Sequence, residues 1–175
     1  MSSPGETGKL NLCGSWQLDK ARSTNLDPVL QLQGIGWVTR KAISVSTVTL
    51  KITQGSDDAD TDADGWITLE QVLTGGIRGA PEKRQLDWTV SEHNDTIFGR
   101  VLVQSRHIPG ATDSDGRLRP VLEVQTQVDR VNVEAFLNES VLPDQTIGQN
   151  KEKAFMHDYI RSPNGGWTAE QVSIN

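Results

Sequence analysis

From Thr47 onward, hydrophobic residues recur at every second position. Val48, Leu50 and Ile52 alternate with Thr47, Thr49 and Lys51, as in a strand with one buried face. The runs 66–73, 85–90, 96–104, 154–161 and 167–174 repeat the signal. Turn chemistry separates them: an acidic Asp and Gly stretch before Trp66, Thr74-Gly75-Gly76, Glu92-His93-Asn94-Asp95 and Pro163-Asn164-Gly165-Gly166. Such joints favour tight antiparallel connections, and the expectation is an up-and-down meander.

Before Thr47 the pattern differs. Residues 10–18 mix apolar and polar positions around Gly14, which suits a first strand with a bend, with Trp16 closing the base of a barrel. Asp27 ahead of Pro28 reads as a helix start, with Asp27 as N-cap and Val29, Leu30 and Leu32 inward until Gly34. Residues 37–45 place Val38, Ala42 and Val45 at helical spacing, with Arg40 and Lys41 on the wetter side. Two short helices therefore form a lid-like hairpin. The stretch 107–153 fits least well, with Pro109-Gly110, residues 113–116, Pro120 and Pro143 interrupting it. Within it, 121–128 reads as a strand and 133–142 as a short helix, and the whole as an elaborated connection. The fold expected is mainly β: an antiparallel up-and-down β-barrel under an N-terminal helix pair.

Composition narrows the function classes. The 175 residues suit one domain, spanning 10–175, with 1–9 as a loose polar tail that is neither a secretory signal nor a membrane span. A hydrophobic fraction of 35% suits a single-layer closed sheet with loops. The net charge of -6 argues against a nucleic-acid partner, which clustered Lys and Arg would serve. One cysteine, Cys13, cannot form an internal disulfide; with the absence of a leader this favours a reducing, cytoplasmic setting. No stable membrane insertion is expected, and the sequons at Asn94 and Asn138 are discounted without secretion.

Gly14-Ser15-Trp16, then 27–32, Gly34-Ile35-Gly36 and Thr39-Arg40-Lys41-Ala42 fall in an order that resembles the start of intracellular fatty-acid-binding proteins, members of the calycin superfamily. The resemblance covers roughly residues 10–52. It implies a ten-stranded calycin-like barrel, capped by the helix pair and enclosing a partly hydrated cavity for one apolar ligand. That family anchors a fatty carboxylate with an Arg-x-Tyr on the last strand. This sequence reads Gln171-Val172-Ser173-Ile174-Asn175 there, which puts ordinary fatty-acid binding in doubt. The chain is also similar to short fungal lipocalin-like proteins, some encoded beside secondary-metabolite genes.

Several patterns carry candidate chemistry. Residues 60–68, Asp60-Thr61-Asp62-Ala63-Asp64-Gly65-Trp66-Ile67-Thr68, look like a calcium-binding EF-hand loop. The twelfth place, however, is Gln71 rather than Glu, and the flanks alternate as strands, so a solvated acidic turn is expected and no metal site. On the strand from Thr96, Phe98, Arg100, Leu102, Gln104 and Arg106 share one face. That face lines a cavity, with Arg as a fork for an oxyanion, or it is the wet outer face while Val101 and Val103 fill the interior. Phe155, His157, Tyr159 and Arg161 share a face of 154–161. They project into the barrel as proton donor and acceptor, or lie on an edge strand facing water. Trp37, Trp66, Trp88 and Trp167 read as core packing, and Cys13 as a small buried residue. His93 and His107 lack ligand-spaced neighbours, so zinc is not expected.

Two functions follow. The first is a binding module for a small hydrophobic molecule, contacted by Trp37, Arg40, Phe98, Arg100, Leu102, Gln104, Arg106 and Phe155. The second is a cofactor-independent isomerase or cyclase that acts on a natural product, with His157, Tyr159 and Arg100 as its catalytic groups. Neither requires a cofactor. A homo-oligomer is the one protein partner considered, because a second subunit could complete the barrel.

Overall fold

The computed structural model describes residues 12–56, 65–75, 77–139, 142–143 and 151–174. Strand β1 (Gly14–Gln17) leads into helices α1 (Leu26–Leu32) and α2 (Trp37–Val45), followed by β2 (Val48–Gly55) and β3 (Trp66–Leu73). The two helices fall where the helical spacing predicts them. The N-cap of α1, however, is Asn25 in the left-handed region (φ 59°) and not Asp27. Asp27 sits inside the first turn, favourable for a carboxylate at a helix N-terminus, and accepts a hydrogen bond from Arg40 Nε at 3.1 Å. At the end of α2, Lys20 Nζ donates to the carbonyls of Ile43, Ser44 and Ser46, which satisfies chain ends that the helix leaves open.

Short strands β4 (Ile77–Arg78) and β5 (Glu82–Gln85) share the far edge of β3, making a five-stranded antiparallel sheet with β1, β2 and β3. A four-stranded sheet follows, in the order β12 (Trp167–Ile174), β11 (Phe155–Ser162), β7 (Gly99–Ile108) and β6 (Ser91–Asp95). Strands β8 (Gly110–Thr112), β9 (Arg117–Pro120) and β10 (Leu142–Pro143) form a third, small sheet. Helix α3 (Arg130–Leu137) and a 3-10 turn (Lys151–Lys153) complete the chain. The fold is mainly β and antiparallel, and no closed barrel is present among the described residues. Among the described residues no helix is long and apolar enough to cross a membrane.

Three strand expectations shift. No strand runs over 85–90: Leu86 N–H bonds the Gly65 carbonyl, and Asp87 accepts from Thr89 N–H in a local turn that competes with the ladder. Residues 92–95 are strand β6, not a turn. The reversal falls at 96–98, where Asp95 Oδ1 accepts from the N–H groups of Ile97 and Phe98, and Gly99 supplies a φ of 70°. The next strand therefore starts at Gly99. Residues 121–127 form no strand, and α3 begins earlier than 133. The EF-hand-like positions 60–64 lie outside the described residues.

Register shows how the two large sheets meet. On the five-stranded sheet, Ile52, Leu69 and Ile67 share a face with Glu82 and Arg84 of β5. On the four-stranded sheet, Val103, Ser105, Met156 and Asp158 share a face. These two faces oppose each other, since Ile52, Ile67, Leu86 and Met156 form one core cluster. A second cluster, Leu30, Ile35, Ile43 and Leu73, seats the helix pair on one end of the assembly against Val48, Ile97 and Phe98. A third, Ile108, Leu118, Ala154 and Phe155, lies on the outer face of the four-stranded sheet, beneath the β8–β9 hairpin and Leu122. Trp16 is half-exposed rather than sealing a base, Trp37 is exposed rather than core, and Cys13 is exposed rather than buried.

Candidate functional site

The inward face of the five-stranded sheet is packed at both ends and partly exposed between them. One cross-strand row, Trp16, Leu50 and Gln71, lies between the row holding Ile52 and Leu69 and the row holding Val48 and Leu73. Leu73 belongs to the helix-capped cluster and Ile52 to the other. Yet Trp16 is 51% exposed, Gln71 is exposed and Leu50 is only partly buried. Leu50 packs against the Ile52 cluster, and the exposed Trp16 and Gln71 on either side of it leave a shallow trough of one indole, one aliphatic side chain and one amide, the mixture small-molecule sites use. Trp16 Nε1 is committed to the Leu12 carbonyl at 2.8 Å, which fixes the indole.

Beyond one end of the trough lies a buried ion network that sequence reasoning missed. Arg84 donates through Nε and Nη2 to the two oxygens of Glu82, both at 2.8 Å, and its Nη1 lies 3.2 Å from Asp158 Oδ1. The Ser105 hydroxyl donates to the same Asp158 oxygen at 2.5 Å. Burial alone would lower the Arg84 pKa, but Glu82 and Asp158 hold it above its ordinary value, so the guanidinium stays charged. The signal available in sequence was alternation: Glu82 and Arg84 lie two apart, as do the inward residues of any strand.

His157 occupies the opposite face of the four-stranded sheet, on a central strand rather than an edge. Its side chain is fully buried. Nε2 lies 2.8 Å from Glu170 Oε1 on β12. Glu170 also accepts from Gln125 N–H, Thr126 N–H and the Thr126 hydroxyl at 2.9, 3.0 and 2.7 Å, which pins residues 125–126 over the sheet. Burial would raise the Glu170 pKa, but these bonds and that from His157 keep it below the usual carboxylate range. Burial pushes His157 below its own usual range, with Arg106 acting the same way, and Glu170 only partly compensates. A neutral imidazole facing an ionised acceptor carries its proton on Nε2, which leaves Nδ1 as a lone pair. Nδ1 is buried and has no hydrogen-bond partner among the described residues.

Trp88 covers this pair. Its ring stacks on His157 with centroids 4.9 Å apart, and the Arg106 guanidinium lies 4.2 Å from the indole centroid. Its backbone φ of 68° is unusual for a bulky side chain. Gln104 Nε2 donates to the Trp88 carbonyl at 3.0 Å and Trp88 N–H donates to the Ser105 carbonyl at 2.9 Å, so two bonds from β7 fix that conformation.

The residues singled out by sequence do not form one group. Leu102, Gln104, Arg106, Phe155, His157 and Tyr159 share the outer face of β7 and β11, while Val101 and Val103 are the buried inward side. Phe155 is core beneath the small sheet. Phe98 packs under the helix pair and edge-on to Trp167 at 6.0 Å. Arg100 is exposed and bound to Glu92 by two 2.9 Å hydrogen bonds, away from His157. Arg40 braces the helices through Asp27 and the Ile35 carbonyl, and Trp37 stands exposed at the start of α2. Among the described residues, no three His, Cys, Asp or Glu side chains gather as a metal would require.

No family model matches the chain, and neither a curated protein nor a solved structure matches it.

Proposed function

We propose that the chain binds a small, largely apolar molecule between its two principal sheets, in the trough of Trp16, Leu50 and Gln71. The sheets and the helix pair are read as an open, calycin-like arrangement in which α1 and α2 cover one end of the ligand space. The observation that carries this reading is the exposure of Trp16 and Gln71 on the inward face, on either side of Leu50, between two core clusters. Apolar surface left open in this way, chiefly that of Trp16, costs stability unless something covers it, at roughly 25 cal/mol per Å². Titration with N-phenyl-1-naphthylamine, a neutral apolar fluorophore, tests it. Saturable one-to-one binding that Leu50→Arg weakens at least about tenfold supports the reading. Absence of binding, or equal binding by a folded Leu50→Arg protein, rejects it.

A second reading, a cofactor-independent isomerase or cyclase, draws on the His157–Glu170 pair. A carboxylate orienting a neutral imidazole whose second nitrogen is unpartnered is the arrangement of a general base. Because His157 faces away from the trough, a substrate for this chemistry approaches from the outer side, past Trp88. Turnover of a bound natural product that His157→Ala abolishes, while trough binding persists, separates this reading from pure binding.

A further inference from the structure

Five arginines among the described residues are half-buried: Arg40, Arg84, Arg106, Arg119 and Arg161. Three are neutralised by carboxylates, Arg40 by Asp27, Arg84 by Glu82 and Asp158, and Arg119 by Asp113. Among the described residues Arg106 and Arg161 have no acidic partner, and the Nε atom of each is buried without an acceptor. A partly desolvated charge left unpaired is costly, so two of them on one surface call for an anion.

Both lie on the outer face of the β7–β11 pair. Arg106 is the cross-strand partner of His157, and Arg161 is four residues further along β11, about 13 Å away by strand rise. Tyr159 stands between them, partly buried, with its ring 6.0 Å from the Arg161 guanidinium; Trp88 lies against Arg106. Three carboxylates on the same face are already engaged, and Asp87, the bridge partner of Arg106, accepts from Thr89 N–H and forms no ion pair with Arg106. Glu92 forms two hydrogen bonds with Arg100, and Glu170 binds His157, Gln125 and Thr126. None of the three forms an ion pair with Arg106 or Arg161. A guanidinium laid against an aromatic ring keeps its in-plane N–H groups for an oxygen acceptor, and its fork suits a carboxylate or phosphate.

We infer that the outer face of β7 and β11 is a binding site for an organic oxyanion, held by Arg106 and Arg161 with Tyr159 between them and Trp88 beside the apolar body of the ligand. The site is distinct from the trough, on the other side of the sheet, and does not depend on it. Carboxylate and phosphate monoester share the recognising chemistry, and the test separates them.

The experiment titrates the full chain with 2-naphthoate, 2-naphthyl phosphate and, as neutral control, 2-naphthalenemethanol. Calorimetry gives affinity; the arginine Nε–H signals, assigned with Arg106→Lys and Arg161→Lys, give location. The expected result is that one anionic probe binds at least about tenfold more tightly than the alcohol and moves the Nε–H signals of Arg106 and Arg161. Arg106→Gln and Arg161→Gln each weaken that binding about tenfold, whereas Arg100→Gln, at an exposed pair, leaves it unchanged. Which anion wins names the headgroup. Equal affinity for the alcohol, no binding up to about 10 mM, or unmoved Nε–H signals at saturation overturns the inference. Should a Gln variant fail to fold, the signals of the unaltered protein decide. Because N-phenyl-1-naphthylamine and Leu50→Arg report on the trough alone, failure of either site is seen separately.

Discussion

Replacing Arg84 by methionine removes the cation from the network between the sheets while keeping its length and apolar bulk. Glu82 and Asp158 then face each other across a buried space without a counter-charge; the side chain of Asp158 is 3% exposed. At an effective dielectric of about 20, unit charges about 4 Å apart interact by about 4 kcal/mol. The contacts here are closer, at 2.8 and 3.2 Å, but desolvation offsets much of the attraction. Breaking such a buried pair costs about 3 to 5 kcal/mol, a large part of a domain stability of about 5 to 15 kcal/mol. Urea unfolding followed by tryptophan fluorescence measures the loss. Adding Asp158→Asn removes one stranded charge and keeps an acceptor for Ser105, so the double variant is expected to be more stable than Arg84→Met by at least about 1 kcal/mol. An Arg84→Met loss below about 1 kcal/mol, typical of an exposed pair, refutes the claim that the network is buried and held by mutual charge.

The His157–Glu170 pair sets an acid limb to stability. Both groups have folded pKa values below their unfolded ones, so each contributes stability at higher pH that is lost on acidification. For His157 the loss begins below about 6.5, and for Glu170 below about 4.3. Melting temperatures from pH 7.5 to 4 are expected to fall in that window; His157→Gln flattens the upper part, and an unchanged profile in that variant contradicts the assignment. Gly110→Ala places a Cβ 2.5 Å from Leu118 Cγ, which is fully buried, so a loss of about 1 to 3 kcal/mol is expected from thermal unfolding. Gly55→Ala meets the Trp66 ring at 2.6 Å on the more accessible outer face and is expected to cost less.

Much of the fold was legible because it follows from short-range periodicity. The strands at 66–73 and 167–174 and the helix at 37–45 appear with those bounds, since period-two and helical spacing survive into the folded chain. Misreadings arose where side chains rewired the backbone. Asp95 and Asp87 each capture N–H groups two or three residues on, moving a turn to 96–98 and ending the strand before 86. The site was less legible for a different reason. Alternation tells which residues share a face but not which face is inward, and the inward side of β7 proved to be Val101, Val103 and Ser105. His157, expected either in a cavity or at a wet edge, is buried on the outer face, where Trp88 stacks on it and residues 125–126, distant in sequence, are tied to its partner Glu170. Pairing over 44 and 45 residues leaves no trace in local pattern.

The proposal of a ligand held between the sheets is tested most directly by native mass spectrometry of the chain isolated from the cells that make it, beside Leu50→Arg isolated in the same way. A stoichiometric adduct of a small organic molecule is expected on the unaltered chain, released on denaturation and missing from Leu50→Arg. The bare chain mass for both proteins, or the same adduct on both, contradicts it.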